Sequence, residues 1–459
     1  MTMEDTIVAI STPPGTGGIG IIRISGEKSF DIASRIFRGA KDFKDIKTHT
    51  INYGSIVDPA NNETLDEVLV SKMKKPASFT REDVVEINCH GGIVVLRKIL
   101  GLIVKEGARI AEAGEFTKRA FLNGRIDLSQ AEAVIDLINS KTDAGSKAAL
   151  DQLEGKLSKK LKEVREKLIE LIAHIEVTVD YPEHDIEEIT GDMVYESLKP
   201  IRNLIFNISN TFENGRMIRE GLNVVIVGRP NVGKSSLLNE LSGKNKAIVT
   251  DIPGTTRDII EEYININGIP IRLIDTAGIR ETEDVVERIG VERAKKAVDE
   301  ADLILVMIDA DTGIINEDIE IFNNVRNKRN IVILNKIDIS SNEKIKEIED
   351  YFKDFNLIKV SIKTGSGIDK IEEELTRLFN KGNLRLNDEV ILTNIRHKNM
   401  IDKCMESIDN AISAYEGGMP LDMITIDIKD AAYYLGQITG ESVNEQVLNE
   451  IFKRFCIGK

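Results

Sequence analysis

The sequence predicts three folded parts. These are an α+β domain over 1–120, a helical domain made of 121–218 and 382–459, and a doubly wound, mostly parallel α/β domain over 219–381 inserted between the two helical segments. Three observations predict this. Before residue 120, short β-rich runs mix with two helical ones. From about residue 128 the apolar period changes from two to seven. At Gly221 it changes again, to apolar strands separated by helices, the pattern of a parallel sheet covered on both faces. A length of 459 residues suits about three domains.

In the first part the expected strands are Thr6–Ile10, Gly20–Ile24, Val68–Val70 and Val84–Ile87, and the expected helices Ser29–Phe37 and Ile93–Val104. Gly15-Thr16-Gly17-Gly18-Ile19-Gly20 satisfies G-x-G-x-x-G, but a dinucleotide fingerprint must open a helix, and Ile21–Gly26 reads as a strand. A tight loop between strands is the better reading. Leu150, Leu153, Leu157, Leu161, Val164, Leu168, Leu171 and Ile175 recur at steps of three and four, so one helical stripe is expected as the core of a bundle. Pro182 stops that helix, and another runs from about Met193 to Asn214. The strands of the inserted part are Val224–Val227, Ile271–Ile274, Leu303–Asp309, Ile331–Leu334 and Leu357–Ser361. Beyond 382, Ile395, Met400, Cys404, Ile408 and Ile412 form a rough stripe; Glu416–Pro420 breaks the helix, and Ile428–Thr439 and Val443–Phe455 follow.

With 41% hydrophobic and 30% charged residues, the composition is that of a globular protein. No apolar run approaches the roughly 18 residues that span a bilayer. Met1-Thr2-Met3-Glu4-Asp5 is acidic where a signal peptide is basic, so a cytoplasmic protein with no membrane partner is expected. Cys89, Cys404 and Cys456 show no C-x-x-C pairing, which indicates neither a disulfide framework nor a zinc site. A net charge of −15 argues against broad, charge-driven nucleic-acid binding. Any RNA contact must be local, or shared with a partner.

The chemistry begins at Val224–Ser235, where an apolar strand runs into G-x-x-x-x-G-K-S and then into the helical Ser236–Leu241. A glycine-rich turn delivered to a helix N-terminus leaves backbone N–H groups free for an anion. Asn231, Val232, Gly233, Lys234, Ser235 and Ser236 are therefore candidate phosphate contacts, with Lys234 reaching the β/γ-phosphates and Ser235 holding Mg2+. Asn335-Lys336-Ile337-Asp338 follows a strand, where a base-recognition loop belongs. The Asp338 carboxylate can accept from N1–H and the exocyclic amine of guanine, and adenine offers neither there, so GTP is selected over ATP. A buried carboxylate left unpaired costs several kcal/mol, enough for discrimination on the order of 10⁴. Ser361-Ile362-Lys363 is the expected second base loop, with Ile362 in place of the usual small residue.

Asp275-Thr276-Ala277-Gly278 ends a strand, so Asp275 reaches Mg2+ through a water and the Gly278 N–H meets the γ-phosphate. Thr255-Thr256-Arg257-Asp258 supplies a hydroxyl for the metal. Both segments are ordered by the γ-phosphate and released on hydrolysis, which makes a GTP switch. Ile279 follows, where Ras-type GTPases carry the glutamine that orients the attacking water. An apolar side chain cannot do this. Among Glu281, Glu283, Asp284 and Glu287, the residues alone do not choose a replacement.

These elements are joined by Pro13-Pro14-Gly15, Arg23-Ile24-Ser25-Gly26, His90-Gly91-Gly92, Gly114-Glu115-Phe116-Thr117, Arg119–Asn123 and the ending Phe455-Cys456-Ile457-Gly458-Lys459. Together they make the whole chain resemble the MnmE (TrmE) family of bacterial tRNA modification GTPases. The resemblance implies a Ras-like G domain inserted in a helical domain, and a folate-binding-like N-terminal domain that forms a homodimer. It implies a flavoprotein partner, MnmG (GidA), in a heterotetramer or larger complex. The implied product is an aminomethyl or carboxymethylaminomethyl group on C5 of the wobble uridine (position 34) of certain tRNAs, with 5-formyl- or methylene-tetrahydrofolate as one-carbon source. It also implies pairing of G domains and K+ in place of an arginine finger.

Carried onto this chain, Asn231, the Thr250 and Ile252 carbonyls and Thr255 hold K+, and Ser235 and Thr256 hold Mg2+. Asp251, Pro253 and Gly254 belong to the same nucleotide-binding segment. Glu287 acts on the water through a bridging water, which fills the gap left by Ile279. The folate residues are Arg23, Glu86, Arg125 and Lys459, with Arg125 where some members carry lysine. Cys456 beside them is a candidate nucleophile, and the terminal Cys-Ile-Gly-Lys does not fit a prenylation signal. The competing reading is a GTP-switched RNA-binding module, such as a ribosome-assembly factor.

Overall fold

The structure, a computed structural model, describes residues 5–13, 15–180, 190–245, 260–266, 269–275, 296–380 and 390–458. It divides into two compact units, one of residues 1–135, 152–173 and 428–459, the other of 136–151 and 174–427.

In the first unit, β1 (Ile7–Ile10), β2 (Gly17–Ser25), β3 (Phe37–Gly39), β4 (Ile51–Val57), β5 (Thr64–Met73), β6 (Val84–Gly91) and β7 (Arg109–Ile110) form one sheet in the order β3-β4-β5-β6-β2-β1-β7. Every neighbouring pair is antiparallel except β1 with β7. The helices Ser29–Ile36 and Ile93–Lys105 bury Ile32, Ile36, Leu96, Ile99 and Ile103 with Ile22, Ile24, Ile56, Val68 and Ile87 of the sheet. Period-two alternation leaves Tyr53 and Leu69 directly paired across β4 and β5 and exposed, at 65% and 44%. The glycine-rich stretch opens no helix; from Gly17 onward it belongs to β2.

A buried ionic network ties this unit together. The Arg119 side chain, 6% exposed, pairs with Asp5 (2.7 Å), Glu82 (3.1 Å) and Glu115 (3.0 Å). Arg109 pairs with Glu115 (2.7 Å) and Asp5 (2.8 Å). The chain ahead of β1, the turn that leads into β6 and the helix Glu115–Leu122 are thereby pinned to one another. Burial pushes the Glu115 carboxyl up, but the two guanidinium groups and the Glu112 N–H outweigh it and hold it below its ordinary value.

The helix Lys156–Asp180 buries Leu157, Leu161, Val164, Leu168, Leu171 and Ile175, as the stripe requires. The stripe does not extend back to Leu150. The chain turns at Gly155 (φ +86°), a separate helix Asp143–Leu153 precedes it, and Leu150 is 44% exposed. Pro182 lies outside the described residues. The single run expected over 193–214 is two helices, Gly191–Asn210 and Phe212–Glu220, separated at Thr211. Ile395–Glu416 runs antiparallel along Gly191–Asn210, joined by Arg202 to Asp409 and by the Ser209 hydroxyl to Asp402 (3.1 Å). Its buried face is His397, Ile401, Cys404, Ile408 and Ala411. Of the expected stripe only Cys404 and Ile408 lie on it, and Ile395 is 55% exposed, because this face starts at His397 and follows steps of four, three, four and three.

The second unit carries β8 (Leu222–Val227), β9 (Ile260–Ile266), β10 (Ile269–Asp275), β11 (Leu303–Asp309), β12 (Asn330–Asn335) and β13 (Leu357–Lys359), in the order β13-β12-β11-β8-β10-β9. Only β9 with β10 is antiparallel. Val224 and Ile226 join the core on one face and Val225 and Val227 the core on the other, so β8 is a continuous apolar run buried on both sides. β13 stops at Lys359, short of the expected Ser361, which instead forms an isolated bridge with Ser366.

Replacing Glu115 with alanine leaves Arg119 buried with one partner fewer, and a loss of about 3 kcal/mol is expected in urea unfolding followed by circular dichroism. Because the folded carboxyl sits below its free value of 4.5, its contribution is present above that pH and is lost as pH falls through the folded value. The wild type should therefore lose stability below about pH 4.5, and Glu115→Ala should show a flatter slope there. Parallel slopes would remove Glu115 from the acid response.

Candidate functional site

The carboxyl ends of β8, β10, β11, β12 and β13 share one edge of the second sheet. From β8 the chain builds β9 and β10 to one side and β11, β12 and β13 to the other. The crevice between β8 and β11 is thus the switch point at which open α/β sheets take ligands. The G-x-x-x-x-G-K-S loop leaves β8 there and enters the helix Lys234–Asn245.

The loop's conformation requires its glycines. Gly228 has φ +151°, and a Cβ would stand 2.5 Å from the Met307 carbonyl oxygen. Gly233 has φ +108°, and a Cβ would stand 2.5 Å from Asn335 Nδ2. Asn231 occupies the left-handed region at φ +62°, where asparagine is among the tolerated residues. Lys234 is buried and its ammonium donates to the Gly228 (2.6 Å) and Arg229 (2.8 Å) carbonyls. Val232 is buried, whereas Ser235 and Ser236 are exposed in the first turn of the helix.

Asn335 joins the loops. It is buried; its Nδ2 donates to the Val232 carbonyl (2.8 Å) and its Oδ1 accepts from the Ile362 N–H (3.2 Å). The phosphate loop, the Asn-Lys-Ile-Asp loop and the Ser-Ile-Lys loop are thereby held as one body. The Ser361 hydroxyl donates to Asp338 Oδ1 (2.7 Å), while Lys363 is exposed. Asp338 itself is exposed, against the buried carboxylate assumed from sequence, so its discrimination depends on burial by the base. Ile362 joins the core beneath the loop, which accounts for an apolar residue at that position.

Lys336, at φ +66°, extends its ammonium to Asp309 Oδ2 (2.6 Å) at the end of β11. Burial raises the Asp309 carboxyl, but Lys336 and the Thr312 and Asp311 N–H groups bring it below its ordinary value. Asp309 was missed by sequence reading, as was the pair of Arg229 with Asp318 (2.7 Å), whose members are 89 residues apart. No local pattern marks either. Asp275 closes β10 opposite Ile226, two residues ahead of Gly228. Thr250, Asp251, Ile252, Pro253, Gly254, Thr255, Thr256, Thr276, Ala277, Gly278, Ile279, Glu281, Glu283, Asp284 and Glu287 lie outside the described residues.

The first unit assembles a second set. Arg23 on β2 stands opposite Glu86 on β6 and pairs with it at 2.7 Å. Its guanidinium lies 5.6 Å from the centre of the Phe116 ring. The Gly458 carbonyl accepts from Ser11 Oγ (3.1 Å) and Arg23 Nη1 (3.4 Å). Gly458, at φ +93°, would bring a Cβ within 2.4 Å of the Ile10 carbonyl oxygen. The Cys456 carbonyl accepts from the Gly114 N–H (3.3 Å), and its side chain is exposed. Arg125 donates to the Ser78 carbonyl (2.7 Å) and lies 5.0 Å from the centre of the Phe79 ring, which packs with Ile7, Ala9 and Phe116. Arg23, Glu86, Arg125 and the 456–458 segment therefore gather around one apolar cluster. Lys459 lies outside the described residues; Ser11 and Phe79 carried no sequence signal, and Phe116 was marked only as part of a motif, with no role at the site.

A phosphate loop at the switch point, fastened to a base loop whose Asp338 is anchored by Ser361, defines a P-loop GTPase. The MnmE helical domain matches residues 128–456 and the GTP-binding protein TrmE N-terminus matches residues 6–125. The chain is 66% identical over 459 residues, the whole of both chains, to the tRNA modification GTPase MnmE of Acetivibrio thermocellus. Over the full length of both chains it is 51% identical to that of Alkaliphilus oremlandii and 50% identical to that of Clostridioides difficile. It belongs to the MnmE family of tRNA modification GTPases.

Asp338→Asn replaces an acceptor by a donor where the guanine amine approaches. GTP affinity should fall by at least about 10²-fold, and xanthosine triphosphate, which carries a carbonyl there, should bind better than GTP. Titration of both nucleotides checks this; unchanged preference for GTP would move base recognition away from Asp338.

Proposed function

We propose that this GTPase modifies C5 of the wobble uridine (position 34) of certain tRNAs, building an aminomethyl or carboxymethylaminomethyl group from a tetrahydrofolate one-carbon unit. It acts in the cytoplasm as a homodimer with an MnmG/GidA-type flavoprotein. The observation that carries the reading is the seating of Cys456–Gly458 against Ser11, Arg23 and Gly114, which adds the chain's terminal segment to the Arg23–Glu86 pair. The exposed Tyr53–Leu69 pair supports a homodimer through the N-terminal domain.

The residues fit a folate. Guanidinium groups on Arg23 and Arg125 and the ammonium of Lys459 suit its glutamate carboxylates, and the Glu86 carboxylate suits the pterin amine edge. Bound there, 5-formyl- or methylene-tetrahydrofolate supplies the one-carbon unit. Glu86 orients Arg23, and Phe79 fixes the plane of Arg125. The exposed Cys456 thiol is the nucleophile available beside them.

In the G domain, Lys234 and the N–H groups of Gly233 to Ser236 take the phosphates, and Asp275 and Gly278 sense the γ-phosphate. Ser235 and Thr256 suit Mg2+, while Asn231, the Thr250 and Ile252 carbonyls and Thr255 suit K+; both ions supply positive charge against the β/γ-phosphates. Asn231 fits such a role in being exposed on the rim of the loop. Glu287 positions the attacking water, the task Ile279 cannot perform.

GTP turnover should fall at least about tenfold when Na+ replaces K+ at equal ionic strength; equal rates would remove the monovalent cation. Glu287→Ala should keep near-normal GTP affinity while kcat falls by about 10²-fold or more, and a variant that hydrolyses normally would pass the role to Glu281 or Glu283. Nucleoside analysis of tRNA from cells lacking the protein tests the whole reading, with loss of the C5-substituted wobble uridine expected. Intact modification, together with no binding of 5-formyl-tetrahydrofolate in equilibrium dialysis, would favour a GTP-switched RNA-binding module.

A further inference from the structure

We propose that the turn between β3 and β4 and the turn after β5 form a docking patch for the phosphate backbone of the tRNA; the inference rests on the tRNA reading above and names where the chain grips that substrate. Lys41, Lys44, Lys47, Lys74 and Lys75 are all exposed there, and none makes an ion pair or side-chain hydrogen bond among the described residues. In a chain of net charge −15, such a group of unpaired ammonium groups is a local exception. Several exposed lysines elsewhere in the same unit have partners, among them Lys98 with Glu63 and Lys105 with Asp58, and those without one, Lys28, Lys159 and Lys167, are not gathered on adjoining turns.

The two turns are held together by the backbone. The His49 N–H donates to the Lys72 carbonyl (2.7 Å) and the Lys74 N–H to Thr48 Oγ1 (3.0 Å). The Lys72 ammonium is spent internally, donating to the Phe43 and Lys44 carbonyls at 3.2 Å and lying 5.1 Å from the Phe30 and Phe43 ring centres. Lys72 is thus the fastener, and Lys44, Lys47, Lys74 and Lys75 are carried on a fixed frame. The acids alongside are partly engaged. Asp42 accepts from the Lys44 N–H (3.0 Å) and Asp83 from the Lys75 N–H (2.9 Å), whereas Asp45 remains as a local countercharge.

The position of the patch matters as much as its charge. Lys74 and Lys75 begin the same segment that, at Ser78 and Phe79, receives Arg125 of the candidate one-carbon pocket. An RNA backbone lying on the lysines is therefore led along this segment toward the residues that would act on a base. Ammonium groups on such a frame bind phosphate without regard to sequence, with strong dependence on salt.

The test uses the full chain and fluorescein-labelled tRNA bearing a wobble uridine, followed by anisotropy across a KCl series. In K44A/K47A/K74A/K75A, affinity near 50 mM salt should fall at least about tenfold and the slope of log affinity against log salt should shrink by about 3, with GTP hydrolysis unchanged. The four Lys→Arg replacements should retain binding, and K98A/K105A should stay within about twofold of wild type. Wild-type binding of tRNA with equal affinity in the quadruple alanine variant overturns the patch alone. Loss of binding in the arginine variant overturns it as well, because charge would then not be the cause. Failure of the wild type to bind tRNA at low salt overturns the substrate reading and the patch with it.

Discussion

The buried amide of Asn335 is the interaction on which the nucleotide site depends. It is 4% exposed and sits where β12 ends, donating to the phosphate loop and accepting from the second base loop. Removing either half would leave a buried polar group without its partner, at a cost of about 1–3 kcal/mol. It also dictates the residue opposite: only glycine fits at 233, because any Cβ would meet the amide nitrogen. Ile362 completes the arrangement from below by joining the core. Three loops that are far apart in sequence thus keep one geometry, and the sheet beneath them, apolar on both faces, gives that geometry a rigid base.

A different physics organises the first unit. There the constraint is the pairing of Arg109 and Arg119 with Asp5, Glu82 and Glu115, which fastens the segment just ahead of β1 beside the helix Glu115–Leu122. β1 is held between β2 and β7, and the terminal 456–458 segment rests on its end through Gly458 and the Ile10 carbonyl. Arg23 then has its pose set from three sides, by Glu86 across the strand pair, by the Phe116 ring and by the Gly458 carbonyl. A guanidinium so constrained loses little further entropy when it meets a carboxylate.

Both units pair acids and bases closely where they are buried. In the second, acids and bases pair closely, as in Arg216 with Asp302 and Arg229 with Asp318. In the first, a strongly acidic chain still leaves a set of lysines on two adjoining turns without a side-chain partner among the described residues. Net charge describes the long-range field, whereas a phosphate backbone meets the local one.

The sequence by itself determined whatever depends on neighbours along the chain. The phosphate loop, the Asn-Lys-Ile-Asp loop, the five parallel strands of the second sheet and the buried stripe of Lys156–Asp180 were legible, because motif spacing and apolar period are local properties; the antiparallel edge strand Ile260–Ile266 was not. Helix faces and ends were less so. Leu150 fell off its stripe because Gly155 turned the chain, and Ile395 because burial of Ile401 and Cys404 set a different face. β4 was passed over, since its buried Gly54 and Ile56 alternate with Tyr53 and other residues facing outward. Only the tertiary structure decided which distant groups meet: Asn335 with Val232 and Ile362, Asp309 with Lys336, Gly458 with Arg23, and Lys74 with the turn at Thr48. Those contacts arise from the order and register of strands, which no spacing along the chain encodes.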